Sequence, residues 1–197
     1  MTNKIEYDKI FKTKGRVSMK KQIQKELVLS GVFIAMGLVF PIAFHAIGGG
    51  GPVFLPMHIP VLIAGFFLSW PFTLAVGVLT PILSSLLTGM PLFFPVLPYM
   101  VLELATYGTI VSFLYRDLKR NVYMALIISM VCGRVMAGAA VWVLATFFMA
   151  KLPSPILFIQ AAILKGIPGI LIQLIFIPAI VLTAKKLNLS SEFGKSV

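Results

Sequence analysis

Long apolar runs, separated by short connections, follow a polar stretch at the start of the chain. The runs cover residues 27–47, 59–70, 72–88, 96–115, 122–150 and 156–184. A helix needs about 20 apolar residues to cross a bilayer, and only the second run, bordered by Pro60 and Pro71, is clearly short of that. The strands of a membrane barrel would instead alternate over ~10 residues. The pattern predicts an all-α integral membrane protein whose six transmembrane helices form a bundle.

Composition supports this class and divides the chain into three parts. Hydrophobic residues make up 59% of the 197 residues and charged residues only 12%, which is too few charges for the surface of a soluble domain. We predict a flexible basic segment at 1–26, a six-helix membrane domain at 27–186 and a short tail at 187–197. The first segment is not typical of a signal peptide, because its basic part is too long and no small-residue cleavage pattern follows the next apolar run.

Basic residues are distributed unevenly between the two sides of the predicted bundle. With six helices, one side carries the basic residues of the N-terminal segment, the fourth connection and the C-terminal tail: Lys4, Lys9, Lys12, Lys14, Arg16, Lys20, Lys21, Lys25, Arg116, Lys119, Arg120, Lys185, Lys186 and Lys195. The opposite connections carry only Lys151. The positive-inside rule therefore predicts a multi-pass cell-membrane protein with both termini cytoplasmic. The net charge of +11 is then explained by topology and by attraction to the lipid bilayer, and no nucleic-acid partner is expected.

Three charged residues lie inside apolar runs, each in a different run: Glu103, Arg134 and Lys165. A charge in hydrocarbon costs at least ~2.5–3.5 kcal/mol on insertion scales, so such residues usually face inward and are functional. Their depths, at 1.5 Å per residue, predict that all three face one cavity. Two cations and one anion leave a positive surplus, which favours an anionic ligand group such as a carboxylate. The alternative is that Glu103 only neutralises one of the cations and holds helices together.

Other polar and aromatic residues are candidates for the same cavity. Tyr99 and Tyr107 lie four residues on either side of Glu103 and share its helix face. The remaining candidates are an aromatic residue, an amide and two histidines that border a glycine-rich connection: Trp142, Gln160, His45 and His58. No metal site and no cofactor are predicted, because the histidines have no companion ligands at metal-binding spacing. A phosphate-binding glycine–lysine loop is also missing, so the chain is not expected to hydrolyse nucleotides itself.

The outward connections are apolar and rich in glycine and proline. They are interpreted either as aromatic anchors at the membrane surface or as a lid that closes over the cavity. The candidate gating residues are Gly49, Gly50, Gly51, Phe54, Met90 and Phe93. In the first run, Gly31 and Ala35 form a small-residue patch. Such a patch packs either inside the bundle or against another membrane protein.

Three stretches of sequence carry a resemblance to a known family: LPMHIPVL at 55–62, TPILSSLLTGMP at 80–91 and ELATYG at 103–108. With these stretches the chain resembles the substrate-binding S component of an energy-coupling-factor (ECF) vitamin transporter. The resemblance implies a six-helix prokaryotic plasma-membrane protein, not an enzyme, that captures a vitamin from outside in a pocket of helices four to six and the outward loops. It also implies a transmembrane coupling subunit, two ATPase subunits and toppling in the membrane. Many members have alanine-x-x-x-alanine as the docking motif, where this chain has Gly31 and Ala35.

The substrate is predicted from the charges and the aromatic residues together. The positive surplus favours a small carboxylate, nicotinate or pantothenate, and the aromatic candidates favour the ring of nicotinate. A pyridoxine-like vitamin and a thiamin precursor remain alternatives. A stand-alone secondary transporter of a small anion, coupled to ions through Glu103, is the rival class. A membrane enzyme is a weaker rival, because no paired acids or histidine cluster are readable.

Overall fold

The computed structural model of the chain describes residues 2–46, 51–148, 150 and 152–187, and this part is all-helical without a strand. The helices are, in order, α1 (Thr2–Ala46), α2 (Gly51–Phe54), α3 (His58–Phe67), α4 (Trp70–Thr88), α5 (Val96–Ser112), α6 (Val122–Phe147) and α7 (Pro155–Lys186). After α5, a π-helical turn covers Phe113–Asp117. The predicted all-α class is therefore confirmed.

Five helices of the described part are long and apolar enough to cross a membrane: α1 over Met19–Phe44, α4, α5 with its π-helical turn, α6 and α7. They correspond to all the predicted runs except the second. The second run forms α3, whose 10 residues extend about 15 Å, roughly half the thickness of a hydrocarbon core. Six complete spans are therefore not confirmed, and cytoplasmic termini remain a prediction. The segment predicted to precede the first span is part of α1 from Thr2 onward.

Helix α3 lies in the centre of the bundle. Its residues from His58 to Phe66 are all buried, and it packs against α1, α4, α5 and α7. A helix that is apolar on every side is either enclosed by other elements or exposed to lipid, and α3 is enclosed. Its short length follows from its ends, where Leu55 has a positive φ of 49° and Ser69 turns the chain into α4. The second apolar run therefore forms the core around which the longer helices assemble.

Small residues allow the helices around α3 to approach closely. A Cβ atom at Gly77 of α4 would lie 2.6 Å from the Cα of Ala105 on α5. A Cβ at Gly65 of α3 would lie 2.6 Å from the Cβ of Val111, also on α5. Membrane helices associate through such close backbone contacts, because lipid provides little hydrophobic force between them. These contacts hold α5 against α3 and α4, and α5 carries Glu103.

A buried ionic cluster connects α1 to the turn between α3 and α4. The carboxylate of Glu26, which is 4% exposed, accepts hydrogen bonds from the backbone N–H and the hydroxyl of Ser69. Arg116 lies 3.5 Å from the other carboxylate oxygen and donates to the carbonyl of Phe67 at 3.1 Å. The sequence analysis assigned Glu26 to a flexible segment and Arg116 to a connection, so it missed this cluster.

Candidate functional site

Three helices bring polar side chains to one carboxylate oxygen in the interior. Arg134 of α6 places Nη1 2.7 Å from Oε1 of Glu103 on α5. Tyr107, one turn further along α5, donates its hydroxyl to the same oxygen at 2.9 Å. Nε2 of His58, at the start of α3, lies 3.7 Å from it. These four residues, which we call the Glu103 cluster, are each less than 10% exposed, at 9%, 2%, 2% and 4% for Arg134, Glu103, Tyr107 and His58.

Local sequence explains why the cluster forms where it does. Glu103 and Tyr107 share a face of α5 because they are four residues apart. The ring of Tyr107 fits against α6 only because Gly133 has no side chain, since a Cβ there would lie 2.2 Å from Cε1 of the tyrosine. The centroid of the same ring lies 5.4 Å from that of His58. Gly133 therefore admits Tyr107, and the next residue, Arg134, reaches the carboxylate.

The variant Gly133→Ala should be less stable than the wild type. The added methyl group overlaps the ring of Tyr107 and disturbs its hydrogen bond to Glu103, and overpacking of this kind costs about 1–3 kcal/mol. Thermal unfolding in detergent measures the effect as a lower melting temperature. Gly31→Ala is the matched control, because no heavy atom lies within 4 Å of a Cβ at Gly31. Equal melting temperatures for the two variants would contradict this packing argument.

Several nitrogen atoms of the cluster are buried without a hydrogen-bond partner in the protein. They are Nη2 of Arg134 and both ring nitrogens of His58. Leaving a buried donor unpaired costs about 1–3 kcal/mol, and most native structures contain few such groups. Arg134 thus uses one side of its guanidinium group for Glu103 and keeps the other side available. The arrangement suits a ligand with hydrogen-bond acceptors.

The segment before α3 lies over the unpaired side of Arg134. A Cβ at Gly166 of α7 would lie 3.1 Å from Cδ1 of Leu55 and 3.6 Å from Nη2 of Arg134. A Cβ at Gly169, one turn later, would lie 2.7 Å from the backbone of Phe54. Residues 53–55, which we call the covering segment, thus pack against two glycines of α7. Leu55 is a non-glycine residue in the left-handed region, a conformation that often marks a functional site.

The other predicted gating residues are placed as follows. Gly51 begins α2, and the Phe54 ring lies 5.4 Å from that of Phe44 near the end of α1. Met90 and Phe93 are 49% and 70% exposed. Gly49 and Gly50 lie outside the described residues, as does the side chain of His45. Among these residues, Phe54 belongs to the segment that packs on α7 next to Arg134.

The structure does not bring every predicted site residue into the cluster. Lys165, Trp142 and Gln160 have exposed side chains. Lys165 therefore lies outside the buried Glu103 cluster, and its place in a shared cavity stays a prediction. It precedes Gly166 by one residue, which is a rotation of about 100° around the helix, so the two residues are on different faces of α7. Inside the cluster Arg134 and Glu103 balance each other, and the positive surplus expected from the sequence is not buried.

Tyr99 has an intermediate position. It is half-buried and packs edge-on against Phe158 of α7, with ring centroids 4.9 Å apart. Lys165 follows Phe158 by two turns on the same side of α7, which places the lysine at the rim of the region that Tyr99 borders. The binding roles of Tyr99 and Lys165 stay predictions.

One buried polar residue of α7 was missed by the sequence analysis. Gln173 is 2% exposed, and its Nε2 has no hydrogen-bond partner. The available signal was an amide within the last apolar run, where Gln160 was the amide predicted for the site. The described residues contain no group of three or more potential ligands that could hold a metal ion.

Long apolar helices around a buried polar cluster define a multi-pass membrane protein with an internal site. Residues 25–181 match the family model described as "ECF transporter, substrate-specific component". The chain belongs to this family, and the resemblance drawn from the three sequence stretches is confirmed. The family consists of substrate-binding subunits of transporters rather than enzymes, and it implies a small substrate and ECF module subunits as partners. Comparisons with curated proteins and with solved structures find no match.

Proposed function

We propose that the chain is the high-affinity capture subunit of an ECF-type importer for a small water-soluble vitamin that carries a carboxylate, with nicotinate and pantothenate favoured. The vitamin binds from the extracellular side of a prokaryotic plasma membrane. Transport then requires a transmembrane coupling subunit and two ATPase subunits. Family membership supports the capture role, and the Glu103 cluster supports the choice of a carboxylate.

The observation that carries the substrate class is the half-paired guanidinium group of Arg134. A guanidinium group presents pairs of N–H donors in a planar fork that matches the two oxygens of a carboxylate. Glu103 occupies Nη1, whereas Nη2 is buried and unpaired. A ligand carboxylate at Nη2 would satisfy this donor, and His58 would supply a further one. The preference rests on these donors and not on a surplus of buried charge.

The covering segment controls access to Nη2 of Arg134. Leu55 lies on Gly166 next to Nη2 of Arg134, and Phe54 lies on Gly169 one turn away, so access to that nitrogen requires this segment to move. The segment then acts as the lid, with the exposed Met90 and Phe93 as a second border of the entrance.

The lipid-facing side of α1 provides the surface to which the coupling subunit binds. Gly31 and Ala35 are both exposed, and nothing lies within 4 Å of a Cβ at Gly31. Among the described residues Gly31 thus has no close packing partner, which supports docking over packing inside the bundle. Small residues on a lipid-facing surface let a second helix approach closely.

The substrate class is tested by native mass spectrometry of the protein purified from cells grown in rich medium. We expect one small carboxylate-bearing molecule per protein, which tandem fragmentation identifies. Isothermal titration of the ligand-free protein with nicotinate and with pantothenate then gives the affinities. A tightly bound vitamin without a carboxylate would contradict the proposed substrate class. No bound molecule from several media would contradict the capture role, and uptake into liposomes without ATPase subunits would favour the secondary transporter.

A further inference from the structure

Gln173 is a buried polar residue that the site described above leaves without a role. Its amide nitrogen has no hydrogen-bond partner although its side chain is almost fully enclosed. It follows Gly166 and Gly169 by seven and four residues, and the three form one buried stripe of α7. Because residues at these spacings share a helix face, Gln173 faces the same side as the glycines that contact the covering segment and approach Arg134.

The covering segment lies between Gln173 and Arg134 on this face of α7. Gly166, next to Nη2 of Arg134, contacts Leu55, and Gly169, one turn before Gln173, contacts the backbone of Phe54. The movement of this segment that the proposed function requires therefore opens the space between Arg134 and Gln173.

The spacing of Gly166 and Gln173 on α7 suits a single small ligand. Gly166, beside Nη2 of Arg134, precedes Gln173 by seven residues, which is about 10 Å along the helix axis. Side chains in a helix tilt toward its N-terminus, so the amide of Gln173 leans toward Gly169 and Arg134. A ligand a few ångströms long, with a hydrogen bond of about 2.9 Å at each end, spans a separation of this order.

We infer that Gln173 is a specificity-determining residue of the same site, which donates Nε2–H to an uncharged acceptor of the molecule whose carboxylate binds Arg134. This inference rests on the proposed function, because it takes Arg134 as the carboxylate site. The preferred ligand has a carboxylate at one end and a ring nitrogen or carbonyl oxygen a few ångströms away. Simple carboxylates without a second acceptor leave Gln173 unpaired, so they bind more weakly.

The test compares carboxylates that differ in the second acceptor. Nicotinate is paired with benzoate, which lacks the ring nitrogen, and pantothenate is paired with octanoate, which lacks the amide and hydroxyl groups. Affinities of the purified full chain are measured by isothermal titration for the wild type, Gln173→Leu and Gln173→Met. Thr183→Leu is the matched control, because Thr183 is a polar residue on the same helix with an exposed side chain.

In the wild type, the vitamin of at least one pair should bind about 10-fold tighter than its partner, the effect of one satisfied buried donor. In Gln173→Leu and Gln173→Met this preference should fall to within about 2-fold, through weaker vitamin binding with unchanged binding of the simple carboxylate. Retained binding of the simple carboxylate also shows that the variants are folded. Thr183→Leu should behave like the wild type.

Three outcomes would overturn the inference in distinguishable ways. If the wild type binds none of the four carboxylates, the proposed substrate class is wrong and the role of Gln173 falls with it. If the wild type discriminates within a pair and both Gln173 variants discriminate equally well, the proposed function stands and only the role of Gln173 is wrong. Loss of all binding together with a melting temperature far below the wild type in both variants assigns Gln173 to folding, and that too overturns its role in specificity.

Discussion

The variant Arg134→Met should lose both stability and vitamin binding, whereas Arg134→Met/Glu103→Gln should recover only the stability. In the single variant the buried carboxylate of Glu103 keeps the hydrogen bond of Tyr107 but loses its positive partner at 2.7 Å. Removing one member of a buried ion pair costs about 3–5 kcal/mol. In the double variant a neutral amide replaces the carboxylate, so no unpaired charge remains. The donor proposed for the ligand is absent from both.

Thermal unfolding in detergent and titration with nicotinate and pantothenate separate these two effects. We expect affinity to fall by about 100-fold or more in both variants, the value of a lost hydrogen bond to a charged group. Lys165→Met is the control, since it removes an exposed cation of α7 and should leave the melting temperature unchanged. Wild-type affinity in the double variant would show that Arg134 only holds helices together, which was the alternative reading of these charges.

The variant Gly31→Leu should abolish transport and leave vitamin binding intact. The larger side chain has room in the isolated subunit, because nothing lies within 4 Å of a Cβ at this position, but it prevents another helix from packing closely against α1. Uptake into proteoliposomes that contain the coupling and ATPase subunits should fall at least about 10-fold, which corresponds to a loss of about 1.4 kcal/mol or more in docking.

A matched substitution on another lipid-facing surface controls for the added volume. Ala161→Leu enlarges an exposed residue of α7 and should transport like the wild type. Titration of both purified variants should give wild-type affinities. If Gly31→Leu transports normally, the lipid-facing side of α1 is not the docking surface. If this variant also loses affinity for the vitamin, the substitution has disturbed the helix bundle.

Sequence reasoning located the ion pair but could not assign every side chain to a face. Charges inside apolar runs identified Glu103 and Arg134, and the spacing of four identified Tyr107. Counting residues gives the depth of a side chain along its helix. The direction in which the side chain points around the helix is read from a polar face, and an apolar helix has no such face. Lys165 was therefore predicted to face the same cavity as Arg134, and in the structure it is the next residue, Gly166, that lies beside Nη2 of the arginine. The same ambiguity hid the buried position of Gln173.

The arrangement of the helices was likewise predicted only in part from the sequence. Hydrophobic run lengths gave the all-α class and five of the long helices. They did not show that the second run is enclosed on all sides as α3, because a buried helix and a short membrane span have the same composition. The cluster of Glu26, Ser69 and Arg116 joins residues from three distant parts of the chain. No local pattern predicts such long-range pairs.

The ionic cluster around Glu26 also fixes which way α1 faces. The helix is apolar both toward the bundle, at Phe33, and toward the outside, at Val32 and Val39, so in lipid its hydrophobicity hardly distinguishes one face from another. Any turn of α1 about its own axis would pull the Glu26 carboxylate away from Ser69 and Arg116. The cluster therefore resists rotation of α1 about its own axis. It fixes the direction in which Gly31 and Ala35 face. If the subunit tilts as one body, the cluster would make the other helices turn together with α1.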